Sequence, residues 1–200
     1  MKTLIIDFGG VLYDIDIQRT ISGFKSRSLL KDFDVKLKGT IKDLVMPYEK
    51  GIISSDEFRK GVCEHLSIEL EDDEFDVIWN STLIGKKGDI EEIVLELKKI
   101  APIYLLSNTN EIHFDHFIDE CSQLFSVFDK CYFSFKIGFV KPEPEIYRFV
   151  MNDIEAHPSD LIMLDDSLEN LNAARSLGID IQHINDSFKL SDFLHTVNIY

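Results

Sequence analysis

The order of apolar and polar segments predicts an α/β fold. Its core is a Rossmann-like parallel sheet with helices on both faces, carrying an inserted all-helical cap subdomain of about four helices. Three observations carry this. Short apolar runs, each closed by a polar side chain, read as buried strands. Helical periodicities lie between them, which gives parallel strands joined by right-handed crossovers. The interval from Asp16 to Leu83 contains amphipathic runs without strand rhythm and is too long for a loop in a compact domain. Residues 1–15 and 84–200 are therefore assigned to the core and 16–83 to the insert.

The first strand is Thr3–Ile6, followed by Asp7, Phe8, Gly9 and Gly10. Four helical runs follow: Ile17–Leu30, Leu37–Met46, Ser55–Leu66 and Asp72–Leu83. Lys50-Gly51 stops one of them, and Ser54-Ser55-Asp56-Glu57 supplies N-cap candidates and an acidic first turn for the next. An insert at this point overhangs the carboxyl end of the sheet as a lid. Asp89–Ile100 carries Ile90, Ile93, Val94 and Leu97 at helical spacing, then Ile103–Leu106 forms a strand ending at Ser107. Lys130–Phe133 is a strand before Ser134, and a helix begins near Glu143 behind Pro142 and Pro144. Leu161–Leu164 is a strand before Asp165, and Leu168–Leu177 is a helix stopped by Gly178.

With 44% hydrophobic and 28% charged residues and 15 Phe, the chain can bury a sizeable core. Its apolar runs are strand-sized, which argues against any membrane span, and no membrane partner is expected. A net charge of −15 argues against nucleic acid, which needs clustered Lys and Arg. An acidic chain still suits a small phosphorylated ligand if a cation, a lysine or backbone amides supply local positive charge. Met1-Lys2-Thr3 leads directly into the first strand, so the expectation is no secretion signal and a cytoplasmic protein. Cys63, Cys121 and Cys131 are expected to be reduced thiols.

Ligands bind at the carboxyl ends of strands in open α/β sheets. Asp7 stands there, either as a ligand-site carboxylate or as a turn residue, and Gly9 and Gly10 let backbone N–H groups approach an anion. Ser107 and the residues after it either cap a helix or hold an anion at its N-terminus. Pro142 and Pro144 follow Lys141 and stiffen its backbone, so its ammonium is aimed at one place. Asp165 and Asp166 repel each other unless a cation or donors hold them, and Mg²⁺ suits them as a hard ion taking oxygen ligands.

Aspartate, serine, lysine and an aspartate pair, in this order at strand ends, resemble the four motifs of the haloacid dehalogenase (HAD) superfamily across essentially the whole chain. Asp7-Phe8-Gly9-Gly10-Val11, Leu106-Ser107-Asn108-Thr109-Asn110, Lys141-Pro142-Glu143 and Asp165-Asp166-Ser167-Leu168-Glu169-Asn170 are most similar to one of its subgroups. That subgroup includes bacterial glucose-1-phosphate phosphatases and the N-terminal phosphatase domain of epoxide hydrolase. The resemblance implies a Mg²⁺-dependent phosphomonoesterase acting on a small phosphorylated metabolite, such as a sugar phosphate, through an aspartyl-phosphate. It casts Asp7 as nucleophile, with Mg²⁺ held by Asp7, the Gly9 carbonyl and Asp166. Ser107, the Asn108 amide, amides at Gly9 and Gly10, and Lys141 would grip the phosphate oxygens, while Asp165 orients Lys141 or a metal-bound water.

One departure stands out. Phosphatases of this superfamily usually carry an acid/base aspartate two residues after the nucleophile, and here that position is Gly9. Asp14, Asp16 and His113 are candidate replacements, against the alternatives that the aspartates cap a helix and that His113 and His116 line one. Arg19 and Tyr48 are candidate cap residues reaching the substrate. Gly9 also leaves room for a 2-haloacid dehalogenase-type hydrolase, or for a phosphate-binding regulatory module of low activity.

Overall fold

A computed structural model describes residues 2–197. Strands β1 (Thr3–Ile6) and β2 (Tyr13–Ile15) lead into helices α1 (Ile17–Arg27) and α2 (Phe33–Thr40), a π-helical turn at Ile41–Val45, then α3 (Met46–Glu49), α4 (Ser55–Leu66) and α5 (Asp72–Asn80). The chain returns through β3 (Leu83–Lys86), α6 (Ile90–Ile100), β4 (Ile103–Ser107), α7 (Glu111–Val127), β5 (Lys130–Phe133) and α8 (Ser134–Ile137). It ends with α9 (Pro144–Asp153), a 3₁₀ turn at Pro158–Asp160, β6 (Leu161–Asp165), α10 (Leu168–Ser176), β7 (Asp180–His183) and α11 (Leu190–Val197).

The main sheet is parallel with strand order β5-β4-β1-β6-β7. Its central strands are apolar throughout because both faces are covered. Leu4 and Ile6 of β1 pack toward Val94 and Leu97 of α6 and Phe117 of α7. Ile5 packs on the opposite side, with Ile146 and Val150 of α9 and Leu171 of α10. Fully burying a Leu or Ile contributes about 1.5–3 kcal/mol, so these short strands anchor the site at their ends. Strand β1 pairs with β4 on one side, Ile6 opposite Leu105, and with β6 on the other, Ile6 opposite Leu164. That register brings the residues after Ile6 alongside Ser107 and Asp165.

Three readings of the insert change. The run expected to end at Leu30 stops as α1 at Arg27. The run expected at 37–46 belongs to one continuous helical stretch, α2 through α3, with a π turn before Pro47. Pro47 lacks an N–H and its ring crowds the carbonyl of Asp43, so the helix widens there instead of continuing in regular register. The last helix stops at Asn80, and Leu83 lies in β3, antiparallel to β2. Helix α4 has the expected start: the Ser54 hydroxyl accepts from the Glu57 N–H and the Ser54 N–H donates to the Glu57 carboxylate at 2.8 Å. The helices bury their own cluster, including Phe24, Phe58, Phe75 and Trp79, and Ile112 from α7 joins it.

Candidate active site

The site forms where β1, β4 and β6 end. Asp7 follows β1 directly, Asp165 closes β6, and Lys141 reaches in from the loop before α9. The Lys141 ammonium donates to Asp7 Oδ1 at 2.6 Å and to Asp165 Oδ2 at 2.8 Å, and its side chain is 1% exposed. Each partner is held in turn. The Asn108 carboxamide pins the Lys141 backbone in both directions, its Nδ2 donating to the Lys141 carbonyl and its Oδ1 accepting from the Lys141 N–H, both at 2.8 Å. Asp165 Oδ1 accepts from the Ser167 N–H at 2.8 Å and from Asn170 Nδ2 at 3.1 Å. The Asn108 side chain is thus committed to the lysine loop, and its backbone N–H is what it offers a ligand.

Two buried carboxylates share one ammonium, so the cluster carries excess negative charge. Burial pushes the Asp7 carboxyl well above the usual carboxylate range, with Asp165 adding to the shift and Lys141 opposing it. Asp166 is exposed, and its partial desolvation together with the Asp165 charge raises its carboxyl above the ordinary value. For Lys141, burial works against the charged form, but the Asp7 and Asp165 carboxylates outweigh it and the ammonium is held above its ordinary value. Oxygens of Asp7, Asp165 and Asp166 lie within 4.8 Å of one another. An all-oxygen, net-negative donor set of this size fits a hard divalent cation.

Gly9 and Gly10 have different roles from the shared one expected. The Gly10 N–H donates to the Tyr13 carbonyl at 2.8 Å, so it is not available to a phosphate. Gly10 sits at φ +75°, and a Cβ there would lie 2.1 Å from Asp166 Oδ2; its lack of a side chain makes room for that carboxylate. Lys87, which the sequence did not single out, ties this turn down by donating to the Gly10 carbonyl at 2.6 Å. At Gly9 a Cβ would meet the Ile15 side chain at 3.4 Å.

Of the acid/base candidates, His113 is engaged elsewhere. It stacks on Trp79 with ring centroids 4.9 Å apart, its Nε2 donates to the Trp79 carbonyl, and its Nδ1 accepts from Asn110 Nδ2, both at 3.1 Å. With both nitrogens used and burial pushing its pKa down to about 4, it is a neutral joint between α5 and α7 rather than a proton shuttle. Asp16 caps α1, accepting from the Gln18 N–H at 3.0 Å. Asp14 is exposed and pairs with Lys87 at 3.4 Å, at the rim of a cavity of about 460 Å³. Tyr48 is buried, not substrate-facing: its hydroxyl bonds Ser55 Oγ at 2.8 Å and accepts from the Ile112 N–H at 3.1 Å. Arg19 is exposed beside Asp16. The three cysteines are unpaired, and burial pushes the Cys121 and Cys131 thiols up to about 12.

One residue of this region was missed. Glu49, the last residue of α3, keeps some exposure, yet burial pushes its carboxyl up to about 7, with the Lys141 charge pulling the other way. Its carboxylate makes no hydrogen bond or ion pair among the described residues. The signal in the sequence was a lone acidic residue before the Lys50-Gly51 helix stop, and nothing there tied it to Lys141.

Fold and site together define a hydrolase built around a strand-end carboxylate. The chain belongs to the haloacid dehalogenase-like hydrolases, whose family model matches residues 1–178. It is 32% identical over 190 residues to the D-ribitol-5-phosphate phosphatase of Bacteroides thetaiotaomicron, with 90% of each chain covered. Its structure resembles that of an HAD family enzyme of the same bacterium in complex with magnesium and inorganic phosphate, at a TM-score of 0.84 and 31% identity, covering 96% of this chain and 98% of that one. A shorter stretch of 67 residues, 34% of this chain and 10% of the other, is 36% identical to bifunctional epoxide hydrolase 2 of Rattus norvegicus.

Proposed function

We propose that this hydrolase is a magnesium-dependent phosphomonoesterase acting on a small phosphorylated metabolite, a sugar or alditol phosphate, with Asp7 as nucleophile. The observation that carries the reading is the Lys141 ammonium held between Asp7 and Asp165, beside a third carboxylate, at the end of the central strands. Similarity to a D-ribitol-5-phosphate phosphatase and to a magnesium- and phosphate-bound structure supports it.

Asp7 attacks phosphorus through a carboxylate oxygen, forming an aspartyl-phosphate that water then hydrolyses; splitting the reaction this way replaces one difficult step by two easier ones. Lys141, the Ser107 hydroxyl and the backbone N–H groups of Asn108 and Gly9 face the phosphate oxygens. Asp7, Asp166 and the Gly9 carbonyl are the residues that would hold magnesium, with Asp165 acting through Lys141 or a water. The ion supplies the charge neutralisation that lets a carboxylate approach a phosphate. The clustering of three carboxylates favours this reading over metal-free displacement of a halide.

The test is magnesium-dependent release of phosphate from a chromogenic ester, followed by a panel of sugar, alditol and nucleoside phosphates. Turnover by the wild type that is abolished in Asp7→Asn is the expected result. Absence of turnover in the wild type, or equal turnover in Asp7→Asn, sinks the proposal and leaves a ligand-binding module.

A further inference from the structure

We infer that Glu49, carried on the helical cap, is the general acid/base of this hydrolase, taking the place of the aspartate that Gly9 lacks. The inference rests on the phosphomonoesterase reading above. In-line displacement puts the acid on the leaving-group side of the phosphorus, opposite Asp7, and the cap inserted after β1 joins the core through Tyr48–Ile112 and Lys50–Glu143, beside the loops that carry Ser107 and Lys141.

The residues around Glu49 fix it there. Tyr48 accepts from the Ile112 N–H at 3.1 Å in the first turn of α7, shortly after Ser107 and Asn108. Lys50 pairs with Glu143 at 2.5 Å, two residues beyond Lys141. Gly51 lies so close to the core that a Cβ there would be 2.3 Å from the Phe135 carbonyl. Glu49 is therefore held between the Ser107 loop and the Lys141 loop, with its neighbours on both sides bonded to the core. The groups around it are accounted for. Lys50 and Glu143 satisfy each other, Glu111 accepts from Ser55 at 2.5 Å, and Asp7 and Asp165 are bridged by Lys141. Among the charged groups, the Lys141 ammonium is the one that acts appreciably on Glu49. A carboxyl with no hydrogen-bond or ion-pair partner, carried between these two loops and raised by burial toward neutrality, has the protonation behaviour a general acid needs.

The steps balance. As the Asp7 oxygen bonds to phosphorus, the ester P–O bond breaks and its electron pair passes to the ester oxygen, which takes the proton from the Glu49 carboxyl and leaves as the alcohol. Water then attacks the aspartyl-phosphate, giving a proton to the Glu49 carboxylate as the P–O bond to Asp7 breaks. Asp7 is a carboxylate again, Glu49 is protonated again, and inorganic phosphate is free.

The test compares esters whose leaving groups differ in their need for a proton. In Glu49→Gln, kcat/KM for the best alkyl phosphate of the panel should fall by about 10²–10⁴-fold, the usual contribution of general acid catalysis. For 2,4-dinitrophenyl phosphate, whose phenolate leaves unprotonated, kcat/KM should fall by less than about tenfold, since only the acid's part of the barrier is relieved. With that ester the variant should release one equivalent of dinitrophenolate per site in a burst and then turn over slowly, because water attack has lost its base. Glu49→Ala, checked for folding by circular dichroism, should show the same split. Equal losses on both esters, or no loss on either while the wild type is active, overturn the inference and leave the phosphatase reading standing. A wild type inactive on both esters overturns the two together.

Discussion

Gly10→Ala separates backbone strain from damage to the cation site. Alanine at φ +75° costs about 1–2 kcal/mol in the left-handed region. For a chain of this size, that lowers Tm by roughly 2–8 °C. The new Cβ would also stand 2.1 Å from Asp166 Oδ2, and real Cβ contacts essentially never fall below 3.0 Å, so the carboxylate must withdraw by about 0.9 Å. An outer partner of a metal ligand is worth 10–100-fold in affinity, so displacing a ligand itself should weaken magnesium binding by at least about tenfold. Gly178→Ala is the control. It carries the same strain at φ +89°, but its nearest contact is Pro158 at an ordinary 3.6 Å, in the loop between α10 and β7. Thermal melts and calorimetric magnesium titrations of the two variants are the assay. Similar losses of Tm should appear in both, with loss of magnesium affinity in Gly10→Ala alone. Unchanged magnesium binding in Gly10→Ala, or an equal loss in Gly178→Ala, refutes the assignment of Asp166 as a ligand packed against Gly10.

Two further outcomes follow from buried charge. Because His113 titrates near 4 in the folded protein and near 6.5 unfolded, the folded state binds fewer protons between those values. Stability should therefore fall as pH drops from about 6.5 to 4, by about 3 kcal/mol in total from this residue. Asp7 and Glu49, with raised values, act in the opposite sense over a similar window, so urea midpoints of the wild type and His113→Gln must be compared. The wild type should lose more stability on acidification than the variant, and parallel curves refute the buried neutral histidine. Lys141→Met removes the ammonium between two buried carboxylates and should destabilise by about 3–5 kcal/mol at neutral pH. Acid should restore part of that loss by protonating Asp7, so a denaturation deficit independent of pH contradicts the bridge.

How much of this was legible depends on whether neighbours in space were marked in sequence. Strands β1, β4 and β6 read clearly because burial on both faces makes them apolar throughout, and parallel pairing then puts their terminal residues side by side. Asp7, Ser107 and Asp165 followed from that alone. Strand β7, Asp180–His183, did not read as a strand, because it lies at the sheet edge and keeps polar residues. The β2–β3 pair was hidden by its length and by Gly85. His113 and Tyr48 looked like site residues because their polar atoms suggested chemistry. Folding spends those atoms on the joint between cap and core, through Trp79, Asn110 and Ile112.

Glu49 was hidden for a related reason. Its place between the Ser107 and Lys141 loops depends on contacts that cross from cap to core, Tyr48 to Ile112 and Lys50 to Glu143, pairs 64 and 93 positions apart. No local pattern encodes contacts of that kind. The glycine at position 9 explains why such a residue is needed. A Cβ at Gly9 would stand 3.4 Å from the Ile15 side chain, an ordinary contact, so it is the absence of a carboxyl at this position, and not a lack of room, that sends the acid's role elsewhere. With no carboxyl at Gly9, the proton has to come from another element. Glu49 then ties turnover to cap seating, because opening the Lys50–Glu143 and Tyr48–Ile112 contacts carries the acid away from Asp7 while leaving the carboxylate–lysine cluster intact.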